Sequence, residues 1–577
     1  MINDGRLTRV RFTVAVCGGL ILSALGARQA SAATRCEDLA QLHAPQVTIT
    51  KAASVDTLEA ISTRLAPARL SRPLCRVQGF ITPTRDSHIG FEVWLPPAAA
   101  WNHKLEAVGN GGMLGALNYR AMVPGFNRGY AAMTTDLGHR NHPPGAAEDG
   151  TWALGHPEKV VDYAYRAEHL ATLAAKRVIA EYYRSAQSHS YYSGCSAGGI
   201  QGITELLRYP KDYDGYIIGD ATPDHLGQEM GALWDTLQAS LAEPGEALTP
   251  ADLGLVHRAV LRQCAGKDGG APSDAFLTDP PACDFDPKVL QCVAGQGAAA
   301  CLSAAKVAIL EKIYRGPVDP LTGASIRAGV TPGSEMTWER FFAGKKNPAG
   351  PDRPWAAFLV DMVYSDPSYL PKEKYLSFLF GKDYEAIRRR KVAGEPLDAV
   401  WNTRNRDLDA FEASGGKVIE YHGWDDGNIP ALSAVSFYES IVADQARRHH
   451  LSPLEAQHVT LGFYRLFMVP GMGHCGGGAG PSDFGQPGHR PANSDAEHDV
   501  LTALDRWVEH GTAPGQLIAS SEDAGTRKVN TTRPICPYPE EPRWNGRGDP
   551  HAAASFTCAA PKPPRHAASQ RAMTRPT

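Results

Sequence analysis

An α/β fold organised around a mostly parallel sheet is predicted by three features of this sequence. Strand-like and helix-like segments alternate from Phe91 to about Asp220. The strand pattern resumes at Lys417 after a long irregular stretch. Between a strand candidate and a helix candidate lies Gly194-Cys195-Ser196-Ala197-Gly198. Alternating strands and helices cover both faces of a parallel sheet. The glycine-flanked serine fits G-x-S-x-G, a sharp strand-to-helix turn that exposes a serine above such a sheet.

The elements follow in order. Phe91-Glu92-Val93-Trp94-Leu95 alternates as a half-buried strand does. Leu105 to Val108 is a second strand, running into the glycine-rich Gly109-Asn110-Gly111-Gly112, and Tyr130 to Thr135 is a third. The spacing predicts a long amphipathic helix over 160–183, with Ala164, Leu170, Leu173, Ala174 and Val178 on its apolar side. Ser190 to Ser193 leads into the serine turn, a helix follows from Gly198 to Arg208, and Tyr213 to Gly219 is the next strand. The pattern breaks after Pro223. From there to about Asn402 the chain is rich in Gly, Pro and Cys, which predicts a lid inserted over the active edge of the sheet rather than a separate domain. Lys417 to Tyr421 and Tyr464 to Val469 restore the strands, and 495–510 is an amphipathic helix. The expected organisation is a leader over 1–32, a core in two parts (33–223 and 403–515), a lid over 224–402, and a loop-like extension over 516–577 whose last residues are disordered.

The 577 residues carry a formal net charge of −4, so no basic excess points to nucleic acid. Arg6, Arg9 and Arg11, the short apolar run from Val14 to Leu25 and the small residues Ala30-Ser31-Ala32 read as a secretory signal peptide. The run is short for a membrane span, and no other segment is apolar enough to cross a bilayer. Cys17 leaves with the leader, and ten of the 11 cysteines remain, in an oxidising compartment where disulfides persist. Local spacing favours Cys36 with Cys75, Cys264 with Cys283, Cys292 with Cys301 and Cys536 with Cys558, leaving Cys195 and Cys475 for each other. No C-x-x-C pair or histidine cluster has zinc-ligand spacing.

Serine is a weak nucleophile until a base takes its proton, and the base needs an orienting carboxylate. In an α/β-hydrolase these occur in the order Ser, Asp or Glu, His. Here Ser196, an aspartate at 425 or 426, and His474 occur in that order, each after a strand candidate. The aspartate outside the triad is expected to be a solvated turn residue. His139, His156 and His422 break the order. The tetrahedral oxyanion requires N–H donors. Ala197 supplies one, and the glycine-rich loop, at Gly111 or Gly112, the other.

At these residues the chain resembles the tannase/feruloyl esterase family, marked by vicinal Cys-Ser and His-Cys with the two cysteines bonded. Its serine motif is similar to Gly194-Cys195-Ser196-Ala197-Gly198-Gly199-Ile200-Gln201-Gly202, departing at Ala197 and Ile200. Its H-G-x-x-D-x-x-I-P motif lands on His422 to Pro430 and selects Asp426. The resemblance implies an α/β-hydrolase with a disulfide-rich lid, no cofactor for catalysis, and hydrolysis of galloyl, feruloyl or terephthaloyl esters, all with an aromatic acyl group. It also implies a structural Ca²⁺ site in the lid. Here Ala265 replaces the first aspartate of that site, leaving Asp268, Asp274 and the carbonyls of Gly270 and Phe276 as ligands. Trp338, Phe341, Phe342, Trp355, Phe358 and Tyr364 are candidates for the acyl pocket or the lid core. The alternatives are an aliphatic ester or polyester hydrolase, or a binding protein on a hydrolase fold. The sequence sets no oligomeric state.

Overall fold

The computed structural model describes residues 34–56, 70–142, 149–241, 245–295, 297, 300–343, 378–523 and 525–561. The leader, the last residues, Trp355, Phe358 and Tyr364 lie outside them. Among the described residues, eleven strands run through the core and the inserted region: β1 (Val47–Val55), β2 (Leu74–Ile81), β3 (Ile89–Leu95), β4 (Lys104–Val108), β5 (Ala131–Thr135), β6 (His189–Cys195), β7 (Gly215–Gly219), β8 (Lys391–Val392), β9 (Glu395–Pro396), β10 (Lys417–Gly423) and β11 (Tyr464–Val469). All but the short β8–β9 hairpin form one nine-stranded sheet, in the order β1-β2-β3-β5-β4-β6-β7-β10-β11. From β5 to β11 every pair is parallel, while β1, β2, β3 and β5 are joined antiparallel. This is an α/β-hydrolase fold. The parallel strands β4 and β7 are buried at every position, as sheets covered on both faces require.

The helix Ala197–Arg208 leaves β6 through the serine turn and is buried from Ala197 to Leu207. Small residues allow that. A Cβ at Gly199 would meet the Gly219 carbonyl at 2.3 Å, and one at Gly198 the Asn110 carbonyl at 2.6 Å. Ile203 and Leu206 are fully buried, each worth about 1.5–3 kcal/mol, so an alanine at 199 would push out a helix that the core needs.

Several expectations are corrected. The 160–183 helix is continuous but carries a π-turn at Asp162–Arg166, which rotates its faces. Its inner side is Ala167, Ala171, Ala174, Ala175, Val178 and Ile179, while Leu173 is exposed. The last core helix starts at Val500, not 495, because Asp499 caps it and is salt-bridged to Arg128. The extension after 516 is not loop: β12 (Leu517–Glu522) pairs with β13 (Val529–Ile535), and β14 (Glu541–Trp544) with β15 (Phe556–Ala559). Between Ala239 and Ala343 the inserted region has its own apolar cluster, centred on Leu253, Val260, Leu310, Ile313 and Trp338. Leu226, Met230, Leu397 and Trp401 join the main core instead. Five disulfides are present among the described residues: Cys36–Cys75, Cys195–Cys475, Cys264–Cys283, Cys292–Cys301 and Cys536–Cys558. No helix among the described residues is long and apolar enough to cross a membrane.

Candidate active site

Three strand ends converge. Ser196 follows β6 with φ 62° and ψ −127°, a strained geometry for a residue with a side chain. The Ser196 N–H donates to the Gly219 carbonyl at the end of β7, and the Ser196 carbonyl accepts from Ile200, which starts the helix. Asp426 turns back after β10, donating its N–H to the Gly423 carbonyl. The loop after β11 carries His474. It is shaped by positive φ at Gly471, Cys475 and Gly476 to Gly478, with the Gly473 N–H donating to the Gly477 carbonyl.

The side chains then meet. His474 Nδ1 donates to Asp426 Oδ2 at 2.8 Å, and Ser196 Oγ donates to His474 Nε2 at 2.7 Å. Asn428 Nδ2 also donates to Nε2, at 3.2 Å. Asp426 Oδ1 accepts the N–H groups of Asn428 (2.7 Å) and Ile429 (3.1 Å). Both carboxylate oxygens are thus occupied, fixing the imidazole in the tautomer whose Nε2 accepts a proton. The Cys195–Cys475 disulfide ties the residue before the serine to the residue after the histidine.

Burial would raise the Asp426 carboxyl, but the facing imidazoles of His474 and His422 hold it well below the carboxylate range. Burial likewise pulls His474 down, and Asp426, with Asp220 behind it, more than compensates, leaving the imidazole above its ordinary value. Asp425 is no solvated turn residue. It is 3 % exposed and its N–H donates to the Met472 carbonyl. Its own carbonyl accepts from Thr337 Oγ1 of the inserted region. Burial, then Glu335, push its carboxyl well up.

A cleft of about 350 Å³, open solvent included, is lined by Ser196, Ala197, Gly112, Tyr163, Ile200 and Ile429 among others. Gly112 has φ 54°, and its carbonyl accepts from Tyr163 Oη at 3.1 Å. Gly111 lies beside it, with nothing within 4 Å of where a Cβ would stand. The glycine-rich loop is pressed onto the serine turn, since Gly198 touches Asn110. His139 serves this loop from behind, with Nε2 at 2.9 Å from the Met113 carbonyl. Of the described candidate aromatics, Trp338 and Phe342 belong to the apolar cluster of the inserted region, while the Phe341 ring stands edge-on to His474 at 5.5 Å.

The two aspartates expected to hold Ca²⁺ have other partners. Asp274 Oδ1 accepts from Arg533 Nη2 at 2.8 Å and Oδ2 from the Ala271 N–H at 2.8 Å. Asp268 accepts from the N–H groups of Thr278 (2.5 Å) and Gly270 (3.3 Å). Arg533 is 2 % exposed and lies between Phe556 and Phe276, 3.6 and 5.3 Å from the ring centres. With a guanidinium at Asp274 and backbone donors at Asp268, this set does not fit a Ca²⁺ shell of six to eight free oxygens. Next to it, burial and the facing Glu541 push the Asp279 carboxyl up to about 8.

Sequence reasoning passed over Asn428, Tyr163, Asp220 and the role of His422. Asn428 was within reach, because it sits inside the motif that selects Asp426. The others touch the site only through the fold.

Comparison with known proteins decides the family. Residues 75–559 match the model of the family described as tannase and feruloyl esterase. The chain belongs to that family. An uncharacterised esterase of Xanthomonas campestris pv. campestris is 36% identical over 93% of either chain. The mono(2-hydroxyethyl) terephthalate hydrolase of Piscinibacter sakaiensis is 31% identical over 82% of either. The crystal structure of feruloyl esterase B from Aspergillus oryzae superposes with a TM-score of 0.77, at 27% identity, over 91% of this chain and 99% of that one. As a member of the tannase and feruloyl esterase family, the protein is a carboxylic ester hydrolase.

Proposed function

We propose that this esterase hydrolyses esters of aromatic carboxylic acids through an acyl-enzyme on Ser196. The observation that carries the reading is the continuous relay from Ser196 Oγ through His474 to Asp426, with contacts of 2.7 and 2.8 Å. Ser196 Oγ attacks the ester carbonyl carbon as its proton passes to His474 Nε2. The N–H groups of Ala197 and of the Gly111–Gly112 turn receive the oxyanion, each such donor being worth about 3–4 kcal/mol. Collapse expels the alcohol, which takes the proton from Nε2. Water, activated by His474, then attacks the acyl carbon and releases the acid and the serine. Asp426 stays ionised and stabilises the imidazolium formed in each half-reaction.

The aromatic preference draws support from the cleft walls, Tyr163, Ile200 and Ile429, and from Phe341 edge-on to His474. It also draws on relatives whose names specify feruloyl and terephthalate esters. We place residues 224–402 over this cleft as a lid. Five disulfides and the leader favour export to the periplasm or the medium. Catalysis needs no metal in this scheme, and Arg533 supplies at the lid loop the positive charge that a Ca²⁺ ion would bring. The test is a kcat/KM panel of galloyl, feruloyl, terephthaloyl and short aliphatic esters. Preference for an aromatic acyl group is expected, and preference for aliphatic chains overturns the assignment.

A further inference from the structure

Behind the Ser196–His474–Asp426 relay lies a second set of buried groups that the scheme above does not use. Asp220, the first residue after β7, is fully buried with φ 42°. Its Oδ1 accepts the Gly423 N–H at the end of β10 and its Oδ2 accepts the Cys475 N–H, both at 2.7 Å. Cys195 Sγ is 3.5 Å from the same Oδ2. One carboxylate therefore spans the end of the aspartate strand, the histidine loop and the disulfide. His422, also fully buried, places Nε2 2.9 Å from the Ile429 carbonyl, 3.4 Å from Asp426 Oδ2 and 3.6 Å from Asp220 Oδ1. The catalytic base and this second imidazole thus share one oxygen of Asp426.

We propose that Asp220 and His422 are positioning residues for the ester hydrolysis, with Asp220 clamping the two loops that carry Asp426 and His474, and His422 dividing with His474 the charge of Asp426. The charge count supports this. Two carboxylates with two neutral imidazoles would leave two uncompensated charges in a closed pocket, which burial penalises. A proton on His422 removes one of them. The groups facing His422 are Asp220 from the end of β7, Asp426 from the turn after β10, Glu420 from its own strand, and His474 across Asp426. Burial opposes the proton, but Asp220 and Asp426 outweigh it and push His422 up to about 9. Asp220 itself is raised by burial to about 6, so it is ionised at neutral pH.

The two residues pull the base in opposite directions. A charged His422 lowers the affinity of His474 for a proton, and an ionised Asp220 raises it. Removing them therefore has opposite signs. His422→Gln keeps a donor for Ile429 but loses the charge, and Asp220→Asn loses the negative charge along with one acceptor.

This inference rests on the proposed serine mechanism, and labelling with an aryl phosphonate separates the two. Failure to label Ser196 in the wild-type enzyme overturns the mechanism. With Ser196 labelled, the pH profile of kcat/KM on methyl ferulate tests the positioning role. The acid limb is expected to rise by about one pH unit in His422→Gln and to fall by a similar amount in Asp220→Asn. Loss of kcat with an unmoved acid limb, or shifts of the same sign in both, overturns the proposal. If Asp220→Asn does not fold, ¹⁵N imidazole NMR of the wild-type protein decides. His422 is expected to keep both ring protons at pH 7, and a neutral ring there overturns the proposal.

Discussion

Breaking the Cys195–Cys475 bridge separates the contributions of covalent chemistry and packing to this site. The bridge closes a loop of 280 residues, inside which Cys264–Cys283 and Cys292–Cys301 remove only short segments. The chain-entropy relation gives about 5–6 kcal/mol for a loop of that size, and real denatured chains return less, so a loss of about 3–5 kcal/mol is expected. The effect on turnover is smaller than that of deleting the serine. The Cys475 N–H remains on Asp220 and the Asp425 N–H on Met472, so the histidine loop keeps two anchors without sulfur, and its own Gly473–Gly477 hydrogen bond braces it internally. A rise of about 1.4–2.8 kcal/mol in the barrier, ten- to a hundredfold in kcat/KM, is the expected result. The assay pairs guanidinium unfolding with kinetics of Cys195→Ala/Cys475→Ala. Wild-type protein under a mild reductant is the control, because it opens the bridge without altering either residue of the pair. A double variant with wild-type stability and wild-type turnover would refute the reasoning.

Other consequences can be measured with the same substrates. Asp426→Asn leaves the carbonyl oxygen to accept from the backbone but reverses the tautomer of His474, and kcat should fall by about 10⁴-fold with little change in KM. Because His474 is held above its ordinary value, and must be neutral to accept the serine proton, kcat/KM should fall as pH drops through an acid limb above about 6.5. A limb well below that value contradicts the electrostatic account. Gly198→Ala drives a methyl into the Asn110 carbonyl and should separate the oxyanion loop from the serine, lowering kcat more than it raises KM. A chelator should leave the melting temperature unchanged, whereas Arg533→Met should cost about 3 kcal/mol by stranding Asp274.

What could be read in the sequence was local chemistry at strand ends. Ser196, Asp426 and His474 each follow a recognisable strand and carry neighbours with a steric purpose, so their meeting was foreseeable from motif and order. Asp220 had no such mark. Its two backbone partners lie 203 and 255 positions away, and a lone aspartate after a strand looks the same whether it faces solvent or spans two loops. Asp425 and Asp426 are neighbours with opposite surroundings, and only the docking of Thr337 shows that Asp425 is enclosed. The hairpins β12–β13 and β14–β15 were hidden because Ser520-Ser521 and Asn530-Thr531-Thr532 lack the apolar alternation of a half-buried strand. The π-turn at Asp162–Arg166 shifted the helix face, which no 3.6-residue pattern can anticipate. The calcium expectation came from the family resemblance, and the arginine that pairs with Asp274 lies more than two hundred positions later in the chain.

In the proposed mechanism Ser196 Oγ is the atom that carries the acyl group. Mixing the enzyme with excess methyl ferulate, quenching in acid within milliseconds and digesting for mass spectrometry measures this directly. The expected spectrum shows the peptide containing Ser196 heavier by one feruloyl group, absent when Ser196→Ala is used. Steady turnover of the ester with that peptide unmodified at every quench time, or with the acyl group on another residue, would contradict it.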